Sequence, residues 1–321
     1  MLGRKLAETL ATTGGIGDSA IDQMTLVDAF ATPTVPADAS FDADTVVADI
    51  TEPGAAERLV ANRPDVIFHL AAVVSGEAET DFEKGYSINL DGTRFLFEAI
   101  RKIGNDYCPR VIFSSSIAVF GAPFPDSIDD DFILQPLTSY GGQKAIGELL
   151  LTDYSRRGFL DGVGLRLPSV CVRPGAANKA ASGLFSNIIR EPLNGREVVL
   201  PAVRATRHWF ASPRSAVNFL LRAAALDTRL LGDRRCLNMP GLSATIGDEI
   251  EALRSIAGDA VVELIRDEPD ELIMRIVAGW PNNFTATRAH DLGFRAETSF
   301  EEIIQVYIDD ELGGSLEGAA T

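Results

Sequence analysis

Tyr140 and Lys144 stand four residues apart in SYGGQKAIGELLLTDYSRR, downstream of a serine run, VIFSSSIAVFG, that closes an apolar segment. On a helix, positions i and i+4 share a face, so the lysine ammonium would lie beside the tyrosine phenol. A cation there favours phenolate and lowers its pKa toward working pH. Such a group can take a proton from an alcohol, which is general-base chemistry. A lone Tyr-x-x-x-Lys is more often an ordinary helix face. The serine run and the nucleotide-binding signs below give it weight.

Those side chains need a scaffold. MTLVDAF (24–30) and TVVADI (45–50) read as strands, and a helix follows Pro53. DVIFHLAAVV (65–74) is apolar throughout, as a strand is when helices cover both faces. RVIFSSS (110–116) and VGLRLPSV (163–170) are further strands. Helices are expected over 2–12, with Leu2, Leu6 and Leu10 on one stripe, over 86–103, with Leu90, Phe97 and Ile100 inward, and around Tyr140. Strands alternating with helices give an α/β fold: a Rossmann-like, doubly wound parallel sheet with a smaller C-terminal substrate lobe.

After Pro168 the rhythm breaks. A short helix (LFSNIIREPL), a short strand (REVVLP), an apolar helix from Arg214 to Leu226 and a strand (RRCLNMP) follow. A helix over 245–257, a strand over 260–265, two short helices and a last helix near 299–310 complete the chain. The expected division is a nucleotide-binding domain over 1–168, with 212–240 returning to it, and a substrate lobe made of 169–211 and 241–312. The Gly/Ala tail 313–321 is expected to be disordered.

The chain opens unusually. Met1-Leu2-Gly3-Arg4-Lys5-Leu6 reads like the end of a glycine-rich turn, with Gly3 as its last glycine. The strand and glycines that precede such a turn are absent from the numbered residues, so the working protein is expected to be longer. Asp28 follows Gly3 at the end of the next strand. A carboxylate there can accept from adenosine ribose hydroxyls and repel a 2′-phosphate, favouring NAD over NADP; the alternative is a loop or helix-capping aspartate. Asp49 and Ile50 stand where an adenine edge would lie, or Asp49 simply caps the helix at Pro53. Leu70, Ala71 and Ala72 are small or apolar at a strand end, open to a flat ligand. Asn89 binds a backbone carbonyl or a water near Lys144, or is an exposed position.

Ser114, Ser115 and Ser116 fall at the carboxyl end of a parallel strand, where ligands bind in this architecture. His69 reads as a core histidine; His208 and His290 have no partner pattern, and G-x-S-x-G is absent, so a serine hydrolase is weakly supported. With 29 Lys+Arg against 46 Asp+Glu, the net charge of −17 argues against a nucleic-acid partner. Cys108, Cys171 and Cys236 are far apart and read as buried small residues, with no metal site. No apolar run reaches membrane-spanning length and no signal peptide is evident, so a cytoplasmic protein is expected.

Together HLAA, FSSSIAVFG, Tyr140-x-x-x-Lys144 and MLGRKLAETL resemble the extended short-chain dehydrogenase/reductase family, which includes nucleotide-sugar epimerases and dehydratases. The resemblance covers nearly the whole chain and is looser after Pro168. It implies NAD as cofactor, with Ser116 the catalytic serine, Tyr140 the acid/base and Lys144 its helper that also grips the nicotinamide ribose. It also implies cofactor contacts from Leu2, Gly3, Asp28 and Ser114, and from Pro168 and Val170 near the nicotinamide amide. Relatives often pair through two long helices, so a homodimer is expected, here through 86–103 and 139–156.

Three departures narrow the reading. Ser116-Ile117-Ala118 lacks the Asp-Glu pair of similar 4,6-dehydratases, which disfavours dehydration. Phe120 stands where many members have tyrosine. Arg207-His208-Trp209-Phe210 keeps only the arginine of the matching segment in sugar-nucleotide enzymes, which points away from a nucleotide-diphosphate substrate. The segment LRLPSVCVRPGAANKAASGLFSNIIREPLNG is similar to four-carbon sugar-acid dehydrogenases. A small carboxylate would need a cation, from Arg173, Lys179 or Arg207, each otherwise a surface ion pair. Ser115, Ser169, Asn178 and Ser182 are candidate contacts to the rest of a sugar acid. The expected activity is NAD-dependent oxidation of the C2 hydroxyl of a small sugar acid. An NDP-sugar epimerase with tightly held NAD and a non-catalytic dinucleotide sensor are the rivals.

Overall fold

The computed structural model describes residues 1–104, 106–175 and 182–316. The chain divides into two compact units: Met1–Val119, Thr138–Arg166 and Val217–Leu237 form one, and Phe120–Leu137, Leu167–Ala216 and Asn238–Thr321 the other.

The first unit holds a four-stranded sheet in the order Cys236–Asn238, Asp161–Leu167, Arg110–Ser116, Val66–His69. Val66–His69 runs parallel to Arg110–Ser116, with Val66 opposite Arg110 and His69 opposite Phe113. Gln23–Asp28 and Asp42–Val47 pair in parallel as a separate two-stranded sheet. Val111, Ile112 and Phe113 are each 0% exposed, which accounts for the unbroken apolar run of that strand. Phe97 and Ile100, on the helix Gly92–Ile103, pack with Val111, Phe113 and Leu151.

Helix Ser139–Arg156 starts where the Thr138 hydroxyl accepts from the Gly141 amide at 3.1 Å. It lies very close to the serine strand. A Cβ placed on Gly147 would come within 2.6 Å of the Phe113 ring. Glycine is therefore required for the approach that brings this helix against the strand.

Several boundaries differ from those expected. The strand read over 65–74 ends at His69, because beyond it the Val73 amide and carbonyl bond the Asn89 side chain at 2.8 and 3.2 Å instead of a neighbouring strand. The helix read over 86–103 begins as a π-helical stretch, Tyr86–Asp91, before the α-helix starts at Gly92. The strand read over 163–170 is two strands: it breaks at Pro168, which has no amide hydrogen, and Ser169–Val170 belongs to another sheet.

In the second unit, Leu242–Thr245, Arg207–Ala211 and Ser169–Val170 make a three-stranded sheet in that order, the first pair antiparallel and the second parallel. Helices Gly183–Leu193, Ile246–Ala257 and Phe300–Glu311 bury Ile188, Ile189, Ile250, Leu253, Ile303 and Ile304 in one core with Phe185 and Phe210. Residues 260–265, read as a strand, instead carry the short helix Asp259–Val262; the strand is Ile265–Asp267, parallel to Val198–Leu200. Gly258, at φ 84, lets the chain restart a helix there.

Gly147→Ala tests the close approach. Alanine's helix propensity favours the variant by about 1 kcal/mol, but forcing a methyl into a fully buried ring costs about 1–3 kcal/mol. Urea unfolding should therefore show a less stable protein; an equal or higher midpoint would contradict the packing.

Candidate functional site

Alternation along Arg110–Ser116 turns Ser114 and Ser116 to one face and Ser115 to the other. The Ser116 hydroxyl lies beside the Tyr140 phenol and favours its ionised form, and its Oγ accepts from the Ala118 amide at 3.1 Å. Ser114 Oγ donates to the His69 carbonyl at 3.1 Å. Its own carbonyl accepts from Lys144 Nζ at 2.8 Å. Lys144 Nζ lies 5.7 Å from the Tyr140 ring centroid and 4.9 Å from that of Phe113. The structure thus brings Ser114, Ser116, Tyr140 and Lys144 together, the last two on one helix face.

Electrostatically the site differs from expectation. Burial pushes the Tyr140 phenol up to about 12, with the neighbouring Ser116 hydroxyl pulling the other way. Desolvation of a phenolate sets the direction of the shift, although the lysine lies nearby. Burial also lowers Lys144 to about 8, against the attraction of Glu148. His69 is held neutral, lowered to about 3 by burial and then by Lys144. It bonds Thr93 Oγ1 at 2.8 Å and stacks on Phe113, as a core histidine would.

Ser115 is a correction. It is 2% exposed and its hydroxyl donates to Glu148 Oε1 at 2.5 Å, so it faces the interior and not a ligand. Glu148 is also clasped by Arg166, through Nε at 3.0 and 3.1 Å and a terminal nitrogen at 2.8 Å. Glu148 continues the Tyr140–Lys144 stripe at i+4, a signal the sequence carried and the reading passed over. Asn89 is 1% exposed, which removes the surface reading. It binds the Val73 carbonyl and Gln143 Oε1, the latter at 2.8 Å, and so ties the loop after Val66–His69 to the tyrosine helix.

Asp28 ends its strand exposed, its Oδ1 accepting from the Phe30 and Ala31 amides at 2.9 and 3.3 Å. Asp49 Oδ1 accepts from the Thr51 amide and hydroxyl at 2.8 and 2.7 Å and so caps the turn there. Ile50 packs against the helix at Gly92. Gly3 sits in the first turn of helix Leu2–Thr13, where a Cβ would come no nearer than 3.9 Å to Leu70. Exposed Gly3, Ala71, Ala72 and Asp28 thus leave backbone and one carboxylate open, a set of groups that fits a dinucleotide.

In the second unit, Arg173 is half-buried and its guanidinium donates to Ser182 Oγ at 3.1 Å, so burial makes its charge costly. Arg207 is exposed and bonds the Ser243 carbonyl at 3.1 Å. Ser169 Oγ lies 2.6 Å from His208 Nε2, a pairing the sequence reading missed. Pro168 is buried and Val170 half-buried. Asn178 and Lys179 lie outside the described residues.

Among the described residues no cluster of His, Cys, Asp and Glu could hold a metal ion, and no helix is long and apolar enough to cross a membrane. Residues 1–225 match the model of the NAD dependent epimerase/dehydratase family. The chain is 45% identical to a D-erythronate dehydrogenase of Cupriavidus necator over 313 residues, 96% of this chain and 95% of that one. It is 39% identical to a D-erythronate dehydrogenase of Haemophilus influenzae, over 97% and 96% of the two chains. A crystal structure described as a nucleoside-diphosphate-sugar epimerase from Agrobacterium tumefaciens superposes with a TM-score of 0.96 at 61% identity, covering 98% of this chain and 93% of that one. The serine strand, the tyrosine helix and the parallel sheet that joins them are thus those of an enzyme with NAD as its cofactor, and the chain belongs to the NAD dependent epimerase/dehydratase family.

Proposed function

We propose that the protein oxidises the C2 hydroxyl of a small sugar acid, D-erythronate, to the 2-keto acid. The observation that carries this reading is the joined set of Ser116, Tyr140 and Lys144, taken with the two D-erythronate dehydrogenases that match the chain end to end. In the proposed step, the Tyr140 oxygen, as phenolate, takes the hydroxyl proton. Ser116 donates a hydrogen bond to the same substrate oxygen and steadies it as the carbonyl forms. Lys144 and Ser116 are the groups of this chain that favour phenolate against the penalty of burial. NAD supplies the acceptor for the hydride that leaves the substrate carbon. Gly3, Ala71, Ala72 and Asp28 are assigned to hold it, with Leu2, Asn89 and Ser114 supporting their loops. Arg173 is assigned to the substrate carboxylate, because a half-buried guanidinium on a serine hydroxyl has bonding capacity for a planar anion.

A second reading has one observation in its favour. The 61% identical Agrobacterium structure is described as a nucleoside-diphosphate-sugar epimerase, and reversible oxidation would use the same three side chains. Incubating the purified protein with NAD and D-erythronate separates the two. Net NADH accumulation is expected; its absence, together with epimerisation of a UDP-sugar, would overturn the dehydrogenase reading. Tyr140→Phe should lower kcat by about 10²–10⁴-fold while leaving NAD affinity nearly unchanged.

The phenol's high resting value gives a pH dependence. The reactive form is the deprotonated one, so kcat/KM for oxidation should climb with pH from neutrality upward. Lys144→Met removes the cation that favours phenolate and should move that rise to higher pH. A flat profile, or one unmoved in the variant, would show that Tyr140 is not the base. We further propose a cytoplasmic homodimer, supported by Ile146 and Leu149, which are 37% and 65% exposed on the tyrosine helix. Light scattering should return twice the 34.4 kDa chain mass.

A further inference from the structure

His208 lies on strand Arg207–Ala211, where alternation places it on the same face as Phe210, and Phe210 is in register with Ser169 on the neighbouring strand. The ring is 3% exposed. It stacks on Phe185, with centroids 5.0 Å apart and an interplanar angle of 6°, and meets Phe210 and Trp280 at 5.3 Å each. This packing fixes the ring's orientation. One nitrogen, Nε2, is 2.6 Å from Ser169 Oγ; the other, Nδ1, is buried and has no hydrogen-bond partner among the described residues.

A neutral imidazole has one donor and one acceptor nitrogen. Burial keeps this ring neutral, its pKa lowered to about 3. If the proton sat on Nδ1, a buried N–H would have no acceptor among the described residues, the rarer and costlier orphan. With the proton on Nε2, the ring donates to Ser169 Oγ and only the Nδ1 lone pair is left unpaired among the described residues. The serine oxygen then acts as acceptor toward the histidine, and its own hydrogen is free to point elsewhere. Ser169 is half-buried, so that hydrogen is not shut away from a ligand.

We infer that His208 is a positioning residue: it donates to Ser169, turns that hydroxyl into a donor toward the ligand, and so selects a ligand with an acceptor oxygen there. The ligand class rests on the proposed sugar-acid reading, in which a carboxylate or keto oxygen is that acceptor. The His208–Ser169 polarity does not depend on that reading.

Two measurements keep those claims separate. The chain has three histidines, so ¹⁵N-histidine spectra of the full protein are simple, and His208→Phe, which keeps the stacked ring, assigns the signals. The expected spectrum has His208 protonated on Nε2 with a bare Nδ1, and Ser169→Ala should shift the Nε2 resonance. A proton on Nδ1, or no response to Ser169→Ala, overturns the inference whether or not the protein turns over any acid. Kinetics with NAD and D-erythronate supply the second test. Ser169→Ala should raise KM for the acid by about tenfold, as loss of one hydrogen bond to a charged group does, with kcat within about twofold. His208→Phe should raise KM in the parent and have no further effect in Ser169→Ala. Additive losses in the double variant would mean that the ring is merely structural. If the wild type yields no NADH, the dehydrogenase reading fails, and the spectra alone decide the inference.

Discussion

The site depends on one buried ammonium. Lys144 is 2% exposed, yet it makes a charge-assisted hydrogen bond to the Ser114 carbonyl and sits over the Phe113 ring. Taking a cation out of water is costly unless partners replace the solvent. The nearest anion, Glu148, is largely spoken for by Arg166 and Ser115, so its attraction offsets only part of the cost. Burial thus leaves the lysine lowered from its ordinary value, and a buried charge of this kind responds strongly to any new charge placed beside it. Burial chiefly, and the charge of Lys144 in addition, keep the His69 imidazole neutral, and it serves as a stacked support for the strand.

The same lysine joins two elements mechanically. The bond to Ser114 crosses from helix Ser139–Arg156 to strand Arg110–Ser116, and it can form only because Gly147, one turn along, lets the helix settle on Phe113. Asn89 and Gln143 make a second tie, from the same helix to the loop after Val66–His69. Strand alternation then divides the serines. Ser114 and Ser116 serve the face with Tyr140, while Ser115 anchors Glu148 beneath it. The polar groups of this unit are thereby paired in two layers, one able to meet a ligand and one that holds the first in place.

Much of this was legible in the residues. The serine strand and the tyrosine helix have long, strongly patterned sequences, and the observed spans Arg110–Ser116 and Ser139–Arg156 match that pattern. Strand ends were not legible where a distant side chain decides them. Val73 leaves the sheet because Asn89, sixteen residues on, captures its amide and carbonyl, and no local propensity encodes that. Strand Arg207–Ala211 was not read as a strand; its histidine is buried by Phe185 and Trp280, which come from elsewhere in the chain, together with Phe210. The inward turn of Ser115 was legible too, since the two-residue period of a strand already separates it from its neighbours. Glu148 was equally available as the next step of the i, i+4 stripe, although its clasp by Arg166 was not.

Because reversible and net oxidation need the same proton chemistry, discrimination between them rests on how the ligand's anion is held. A nucleotide diphosphate carries at least two charges and would call for several uncommitted cations. In the second unit, buried Arg190 is fully engaged, with Glu191, Asn187 and the Arg173 carbonyl taking its donors. Arg207 lies exposed against Ser243, where water screens it. Arg173 is the different case: half-buried, bonded through a neutral hydroxyl, and bearing a desolvation cost that a single bidentate anion would relieve. Among the described residues, one such arginine matches the charge of one carboxylate, which supports the proposed small monoanionic acid.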